Sequence, residues 1–228
     1  MNIAGILAGG TGSRMTADMP KQFIDLCGKT VLERTLDVFE SHPDIHRVVV
    51  VSHPEYMEQT ERIRKSGAYE KWDVTVPGGQ ERHLSSYAAV RACDGLEGHL
   101  LIHDAARPMV SHALIDRLLE ALREAEAAAP VVPLRDTLIE ASGEYIKSVP
   151  ERKKFRNVQT PQAFRLSLLR NAFLQAINDS NICFTDDCSV ILHYLPQTKI
   201  KMVEGEEQNQ KLTYYSDIEL FKKYFQKI

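Results

Sequence analysis

The sequence has no apolar run near the roughly twenty residues that cross a bilayer, and no basic segment followed by an apolar one opens it. A soluble, cytoplasmic protein without a membrane partner is therefore expected. Cysteine is scarce. Cys27, Cys93, Cys183 and Cys188 include no Cys-x-x-Cys pair, which excludes a zinc ribbon, and are too few for a disulfide scaffold in a chain of 228 residues, so they read as reduced thiols. Cys183 and Cys188 with His193 could be drawn as metal ligands; half-buried small hydrophobes are the plainer reading. An excess of one charge is also missing: 28 Lys and Arg against 31 Asp and Glu leave a formal net charge of −3. Nothing global attracts nucleic acid, which is not an expected partner, and any functional cations must be gathered locally. Internal repeats and low-complexity segments are absent too. The length suits one domain over residues 1–228 with its own core.

What is present begins at the first strand. Ile3-Ala4-Gly5-Ile6-Leu7-Ala8-Gly9-Gly10 leads into Thr11-Gly12-Ser13-Arg14-Met15, with Pro20-Lys21-Gln22 close behind. An apolar strand opening into a glycine-rich loop lets backbone N–H groups approach a polyphosphate, and Arg14 and Lys21 add positive charge. Two better-known phosphate loops do not fit. A P-loop needs Gly-Lys-Ser/Thr where Gly12-Ser13-Arg14 stands, and the dinucleotide fingerprint needs a third glycine where Met15 stands.

Beyond the loop, β-rich apolar runs alternate with amphipathic stretches. Strands are expected at 3–7, 47–51, 72–76, 99–102 and 130–133, with helices near 31–40, 56–66, 85–92 and 114–126. Alternation of this kind implies parallel strands with crossover helices, and Val48-Val49-Val50-Val51 is apolar on both faces, as a sheet covered on both sides requires. In such a sheet ligands bind beyond the carboxyl ends of the strands, so the loops after Leu7, Val76 and Ile102 should converge. Between 135 and 154 the pattern becomes two short extended pieces, 137–140 and 145–148, around Ser142-Gly143. This reads as a β-hairpin arm too small to fold alone, which must pack on the parent domain or a second subunit. Helices at 166–177 and 187–193, a strand at 199–203 and a helix from 216 complete the chain.

Two further segments carry chemistry. Ile102-His103-Asp104-Ala105-Ala106-Arg107-Pro108 delivers a carboxylate at a strand's end, where Asp104 could hold a magnesium ion or a ribose hydroxyl, while His103 either serves the site or fills the strand end. Pro77-Gly78-Gly79-Gln80-Glu81-Arg82-His83-Leu84-Ser85-Ser86 places glycines and hydroxyls after the third strand, suited to reading a base edge; the alternative is a helix start with Ser85 as its cap.

Together these residues resemble the cytidylyltransferase family that includes the methylerythritol phosphate cytidylyltransferases of isoprenoid synthesis and the ribitol phosphate cytidylyltransferases of teichoic acid and capsule synthesis. The resemblance extends over the whole chain through Pro133-Leu134-Arg135-Asp136-Thr137, Val158-Gln159-Thr160-Pro161-Gln162, Thr185-Asp186-Asp187 and Asn209-Gln210-Lys211-Leu212-Thr213. It implies a Rossmann-like α/β fold of the nucleotidyltransferase type, with a mostly parallel sheet, helices on both faces and a projecting hairpin arm at about 135–154. It also implies attack by an acceptor phosphate oxygen on the α-phosphorus of CTP, with pyrophosphate leaving, magnesium as cofactor and a homodimer formed through the arm.

By the same resemblance, Arg14, Lys21 and Lys211 are the catalytic cations. Leu7, Ala8, Gly9, Gly10, Thr11, Gly12, Gly79, Gln80, Arg82, Ser85, Asp104 and Ala105 bind CTP. Gln80 stands where many relatives carry Asp. Arg107, Thr137, Arg152 and Thr160 bind the polyol phosphate, partly across the dimer. Leu7-Ala8-Gly9-Gly10 and Met19-Pro20-Lys21-Gln22-Phe23 look like the ribitol branch, whereas Asp104-Ala105-Ala106-Arg107-Pro108 and Thr185-Asp186-Asp187 look like the methylerythritol branch, which is favoured. A catalytically silent nucleotide-binding relative, and a uridylyl- or guanylyltransferase, stay open as alternatives.

Overall fold

The computed structural model describes residues 1–10, 20–179 and 184–226. The first half alternates as expected. Strand β1 (Asn2–Ala8) is followed by α1 (Val31–Ser41), β2 (Arg47–Ser52), α2 (Met57–Arg64), β3 (Trp72–Pro77), α3 (Arg82–Arg91), β4 (His99–Asp104), α4 (His112–Ala121) and β5 (Ala127–Pro133). The second half holds the hairpin β6 (Glu140–Ser142) and β7 (Tyr145–Ser148), then β8 (Arg156–Val158), β9 (Gln162–Arg165), α5 (Leu166–Ala176), α6 (Asp187–Tyr194), β10 (Ile200–Glu204) and α7 (Asp217–Phe225).

Among the described residues these strands form an eight-stranded sheet, ordered β10-β5-β9-β4-β1-β2-β3 with β8 beside β5. β1 runs parallel to β2 and β4, β2 to β3, and β10 to β5; β9 lies antiparallel between β4 and β5, and β8 is antiparallel to β5. The two antiparallel strands are the departure from the expected alternation. Each is only three or four residues long, with Pro161 just before β9, too short for its period to announce it.

Helices cover both faces. Val48 and Val50 point into one core with Phe39, Leu114 and Leu118 of α1 and α4, while Val49 and Val51 point into the other with Ala89, Leu169 and Phe173 of α3 and α5. All four valines are at most 1% exposed, and each buried side chain contributes about 1.5–3 kcal/mol of transfer free energy. Gly5 on β1 lets α3 sit close: a Cβ there would be 3.3 Å from Ala89 Cβ. A third cluster joins Leu26, Val31, Ala106 and Leu212 to Ile218 and Phe221 of α7, tying the chain's end to the loop after β4.

Local chemistry sets several boundaries. Thr30 and Glu33 form a reciprocal capping box at the start of α1, satisfying two orphan N–H groups. Ser111 caps α4 through Leu114 N, so that helix begins earlier than expected and ends at Ala121. Ala127, Ala128 and Ala129, helix formers by propensity, belong to β5 because burial between neighbouring strands outweighs propensity. The hairpin's first strand starts at Glu140, not 137, and pairs as Ser142 to Tyr145 around Gly143 at φ 59°.

Candidate active site

The three loops converge as expected. The ends of β1, β3 and β4 bound a cavity of about 180 Å³ lined by Leu7 to Gly10, Gly79 to Arg82, Ser85 and Asp104 to Ala106, with Lys21, Gln22 and Lys211 closing it. Its walls meet because glycine leaves room. A Cβ on Gly9 would lie 3.1 Å from Ser85 Oγ, on Gly78 2.8 Å from the same atom, and on Gly79 2.3 Å from Leu84 Cβ. Ser85 does not cap α3. It lies inside the helix, which starts at Arg82, and its Oγ accepts Gly79 N at 3.2 Å, so the helix holds the loop. Gln22, 2% exposed, donates Nε2 to Ala8 O at 2.7 Å and pins the other wall.

Asp104 is the electrostatic centre. Its Oδ2 lies 2.8 Å from Lys211 Nζ and 3.7 Å from Arg107 Nε, and its Oδ1 lies 3.3 Å from Arg82 Nε. Burial pushes its carboxyl up, but Arg82, Lys211 and Arg107 outweigh burial and hold it well below the usual carboxylate range. Arg82 in turn reaches Asp187, Nη1 to Oδ2 at 2.8 Å; burial disfavours the cation, yet the two carboxylates together push its pKa above the ordinary value. Arg107 is lowered by burial, with Asp104 opposing.

The strand end beneath Asp104 is held by a chain of hydrogen bonds. His103 is fully buried, and desolvation lowers it to about 4, so its ring is neutral at neutral pH. Its Nε2 lies 3.1 Å from Arg107 O, an acceptor only, so Nε2 carries the proton. Nδ1 then accepts the Thr160 hydroxyl at 3.0 Å, and that hydroxyl oxygen accepts Asp104 N at 3.1 Å. His103 therefore fixes the backbone on both sides of the carboxylate, which settles the choice left open by the sequence in favour of a supporting part. Thr160, expected to touch the polyol phosphate, is 5% exposed, and its hydroxyl donates to His103 Nδ1 and accepts Asp104 N.

Of the other expected residues, Thr11, Gly12 and Arg14 lie outside the described residues. Leu7, Ala8, Gly9, Gly10, Lys21, Gly79, Gln80, Arg82, Ser85, Asp104, Ala105 and Lys211 all line the cavity. Lys21 Nζ donates to Leu212 O at 3.3 Å. Arg107 and Lys211 also border a second, open groove of about 720 Å³ that runs past Val132, Leu134 and Val158 to the base of the hairpin. Thr137 and Arg152 lie at that base outside both cavities, with Arg152 Nη1 donating to Arg135 O. The arm itself is exposed and apolar at its tip: Tyr145 is 80% and Ile146 65% exposed. Cys183 lies outside the described residues, and burial pushes the Cys188 thiol up. Among the described residues no cluster of three His, Cys, Asp or Glu side chains could hold a metal, and no helix is long and apolar enough to cross a membrane.

Sequence reasoning missed Asp187 as a partner of Arg82 and Gln159 as the clamp on the C-terminal loop. Gln159 Nε2 donates to Glu206 O at 2.8 Å, and its Oε1 accepts Glu206 N at 3.1 Å. Both residues sat in motifs noted for resemblance alone, among polar neighbours that give no sign of burial.

Known proteins resemble this chain in sequence and fold. A family model described as IspD, 2-C-methyl-D-erythritol 4-phosphate cytidylyltransferase, matches residues 3–227. The 2-C-methyl-D-erythritol 4-phosphate cytidylyltransferase of Thermobifida fusca (strain YX) is 42% identical over 222 residues, covering 94% of this chain and 89% of that protein. The bifunctional ribulose 5-phosphate reductase/CDP-ribitol pyrophosphorylase Bcs1 of Haemophilus influenzae is 35% identical over 229 residues, 99% of this chain and 48% of that longer protein. The crystal structure of 4-diphosphocytidyl-2C-methyl-D-erythritol synthase from Anaerococcus prevotii DSM 20548 superimposes with a TM-score of 0.85 at 28% identity, covering 99% of this chain and 98% of that one.

Proposed function

The chain belongs to the 2-C-methyl-D-erythritol 4-phosphate cytidylyltransferase family of nucleotidyltransferases, and from that premise we propose that it transfers CMP from CTP to 2-C-methyl-D-erythritol 4-phosphate, a step of isoprenoid synthesis. The observation that carries the reading is the pairing of Arg82, Arg107 and Lys211 with Asp104 at the glycine-loop cavity that Lys21 also lines, with Arg107 and Lys211 bordering the second groove.

The reaction needs no protein nucleophile. A phosphate oxygen of the acceptor forms a bond to the α-phosphorus of CTP, the bond from that phosphorus to the bridging oxygen of the β-phosphate breaks, and pyrophosphate leaves with the electron pair. Catalysis is positioning plus neutralisation of charge on the phosphoryl oxygens. Arg14, Lys21 and Lys211 take that work. The backbone of Leu7 to Gly12 cradles the triphosphate, Gly79, Gln80 and Ser85 read the cytosine, and Asp104 with Ala105 and Arg82 holds the ribose side. Arg107 faces the acceptor phosphate, with Thr137 and Arg152 reaching the acceptor from a partner subunit's arm. Val132, Leu134 and Val158 give the otherwise polar groove an apolar side that suits the methyl branch of the acceptor.

Magnesium is part of the proposal and supplies neutralisation of the triphosphate. The donor set fits a cation that arrives with the nucleotide: Asp104 offers one carboxylate, and its contact with the one-third exposed Lys211 side chain is the one that can be exchanged. We place the protein in the cytoplasm, where CTP is made, as one domain over 1–228 that dimerises through the arm at about 135–154.

The match to the Haemophilus relative keeps ribitol 5-phosphate as a second acceptor to test. Purified protein with magnesium and CTP should release pyrophosphate only when an acceptor is added, and faster with methylerythritol phosphate than with ribitol phosphate. Preference for ribitol phosphate would reassign the acceptor, equal turnover of UTP or GTP would remove the base assignment, and nucleotide binding without turnover would leave a silent relative.

A further inference from the structure

Asp187 has no part in the chemistry just described, yet it is fully buried against it. Helix α6 puts it there. Asp186 caps the helix by accepting Ser189 N at 3.0 Å, and Gln162 Oε1 accepts both Asp187 N and Cys188 N at 3.0 Å. With the first-turn amides saturated, the Asp187 side chain turns inward to Arg82, whose Nη1 lies 2.8 Å from its Oδ2, while the Nε edge of Arg82 faces Asp104 Oδ1 at 3.3 Å. Asp187 Oδ1 and Arg82 Nη2 find no hydrogen-bond partner among the described residues. A buried ion pair is a poor source of stability, since similar apolar side chains often do as well. Its effect on the cavity is more specific.

A guanidinium prefers to fork onto one carboxylate with two parallel bonds. Left with Asp104 alone, Arg82 would close on both of its oxygens and compete with Lys211 for Oδ2. Asp187 draws the head of the guanidinium back and leaves Asp104 only its edge. We propose that Asp187 is a positioning residue for the nucleotide: by holding Arg82 in the cavity wall it keeps the Asp104 carboxylate open to the ligand and Lys211 at the cavity's lip. Asp187 touches neither substrate and acts only through Arg82. The inference rests on the assignment of this cavity to CTP.

The test is a double-mutant cycle on the full chain, with D187N, R82Q and R82Q/D187N compared with wild type by KM for CTP, KM for the acceptor, kcat, and calorimetric CTP binding. D187N should raise KM for CTP about tenfold, with KM for the acceptor within about twofold. In the R82Q background, D187N should change KM for CTP no further. Each single variant leaves one buried charge uncompensated and could fail to fold, but the double variant removes both. On its own it must show a near-native Tm with weakened CTP binding. Wild-type CTP affinity in the folded double variant, or in D187N, would overturn the proposal, as would additive effects of the two substitutions. Wild type that binds CTP without turnover would sink the transferase reading alone; wild type that does not bind CTP would sink both.

Discussion

Lys211 Nζ meets Asp104 Oδ2 at 2.8 Å across 107 residues of chain, so the C-terminal loop closes a site begun by the first strand. The contact does not stand alone. Leu212 N donates to Ala106 O at 2.8 Å, Lys21 Nζ donates to Leu212 O at 3.3 Å, and Arg107 Nη1 donates to Asn209 O at 2.8 Å. The segment 209–213 is thus laced to the loop after β4 and to Lys21, which places three cations on one rim without any motif that brings them together in sequence.

Lys211→Met should therefore cost activity more than stability. The Lys211 side of the pair is one-third exposed, and buried Asp104 keeps Arg82 and Arg107 when Lys211 is lost, so the cost to folding is limited. Loss of a preorganised cation at a developing phosphoryl charge typically lowers kcat by about 10² or more. Steady-state rates and a thermal melt on the same preparation decide it; a near-normal kcat would remove Lys211 from the catalytic set.

The same expectation holds for Lys21→Ala and Arg14→Ala, each with a loss of about 10² in kcat. Both should retain the fold. Should both variants turn over CTP at close to the wild-type rate, the phosphate-handling role of the opening loop would be wrong.

His103 predicts a pH dependence of stability. Its folded pKa of about 4 lies below the ordinary histidine value of 6.5, so between those values the unfolded chain binds a proton that the native state does not. The contribution is fully present above pH 6.5 and is lost as pH falls toward 4, amounting to about 2 kcal/mol between pH 7 and 5. His42 and His99 are lowered in the same direction by burial and add to the slope. Asp104, depressed by its cations, loses its contribution only at pH values below the ordinary carboxylate range. Urea unfolding at pH 7 and 5 should show His103→Gln losing markedly less stability than wild type; parallel losses would assign the titration elsewhere.

The strands and helices with long periodic patterns were legible from the sequence because burial on one or two faces writes a period into the residues. The convergence of the loops after Leu7, Val76 and Ile102 followed from that layout. Strands β8 and β9 were not legible, since three or four residues carry no period and Gln162 is buried by its hydrogen bonds rather than by hydrophobicity. Within the site, charge type was readable and pairing was not. Nothing in the spacing of Arg82 and Asp187, or of Thr160 and Asp104, tells that they meet, because those contacts depend on how α6 packs against α3 and how β9 pairs with β4.

The hairpin predicts a self-association that the isolated fold does not require. Tyr145 and Ile146 are 80% and 65% exposed, and Val149 beside them is 62% exposed, a grouping that a solvated arm would not favour. Light scattering on a variant lacking 136–149 should give half the native mass with reduced acceptor turnover. An unchanged mass and rate would show that the arm is not the dimer contact.

Two glycine substitutions separate what the protein needs from what the nucleotide needs. At Gly79 an added Cβ would sit 2.3 Å from Leu84 Cβ, closer than any real contact, so the loop must move away from α3 and the 3.2 Å bond from Gly79 N to Ser85 Oγ is lost. At Gly10 an added Cβ has nothing within 4 Å among the described residues, so no clash with them opposes Gly10→Ala and its main effect is expected where a ligand approaches the backbone. Gly79→Ala is expected to lower Tm slightly and raise KM for CTP about tenfold or more, whereas Gly10→Ala should leave Tm unchanged and still weaken CTP binding. If Gly10→Ala binds CTP as wild type does, the triphosphate does not lie against the turn that follows β1, and the placement of the nucleotide in this cavity would have to be redrawn.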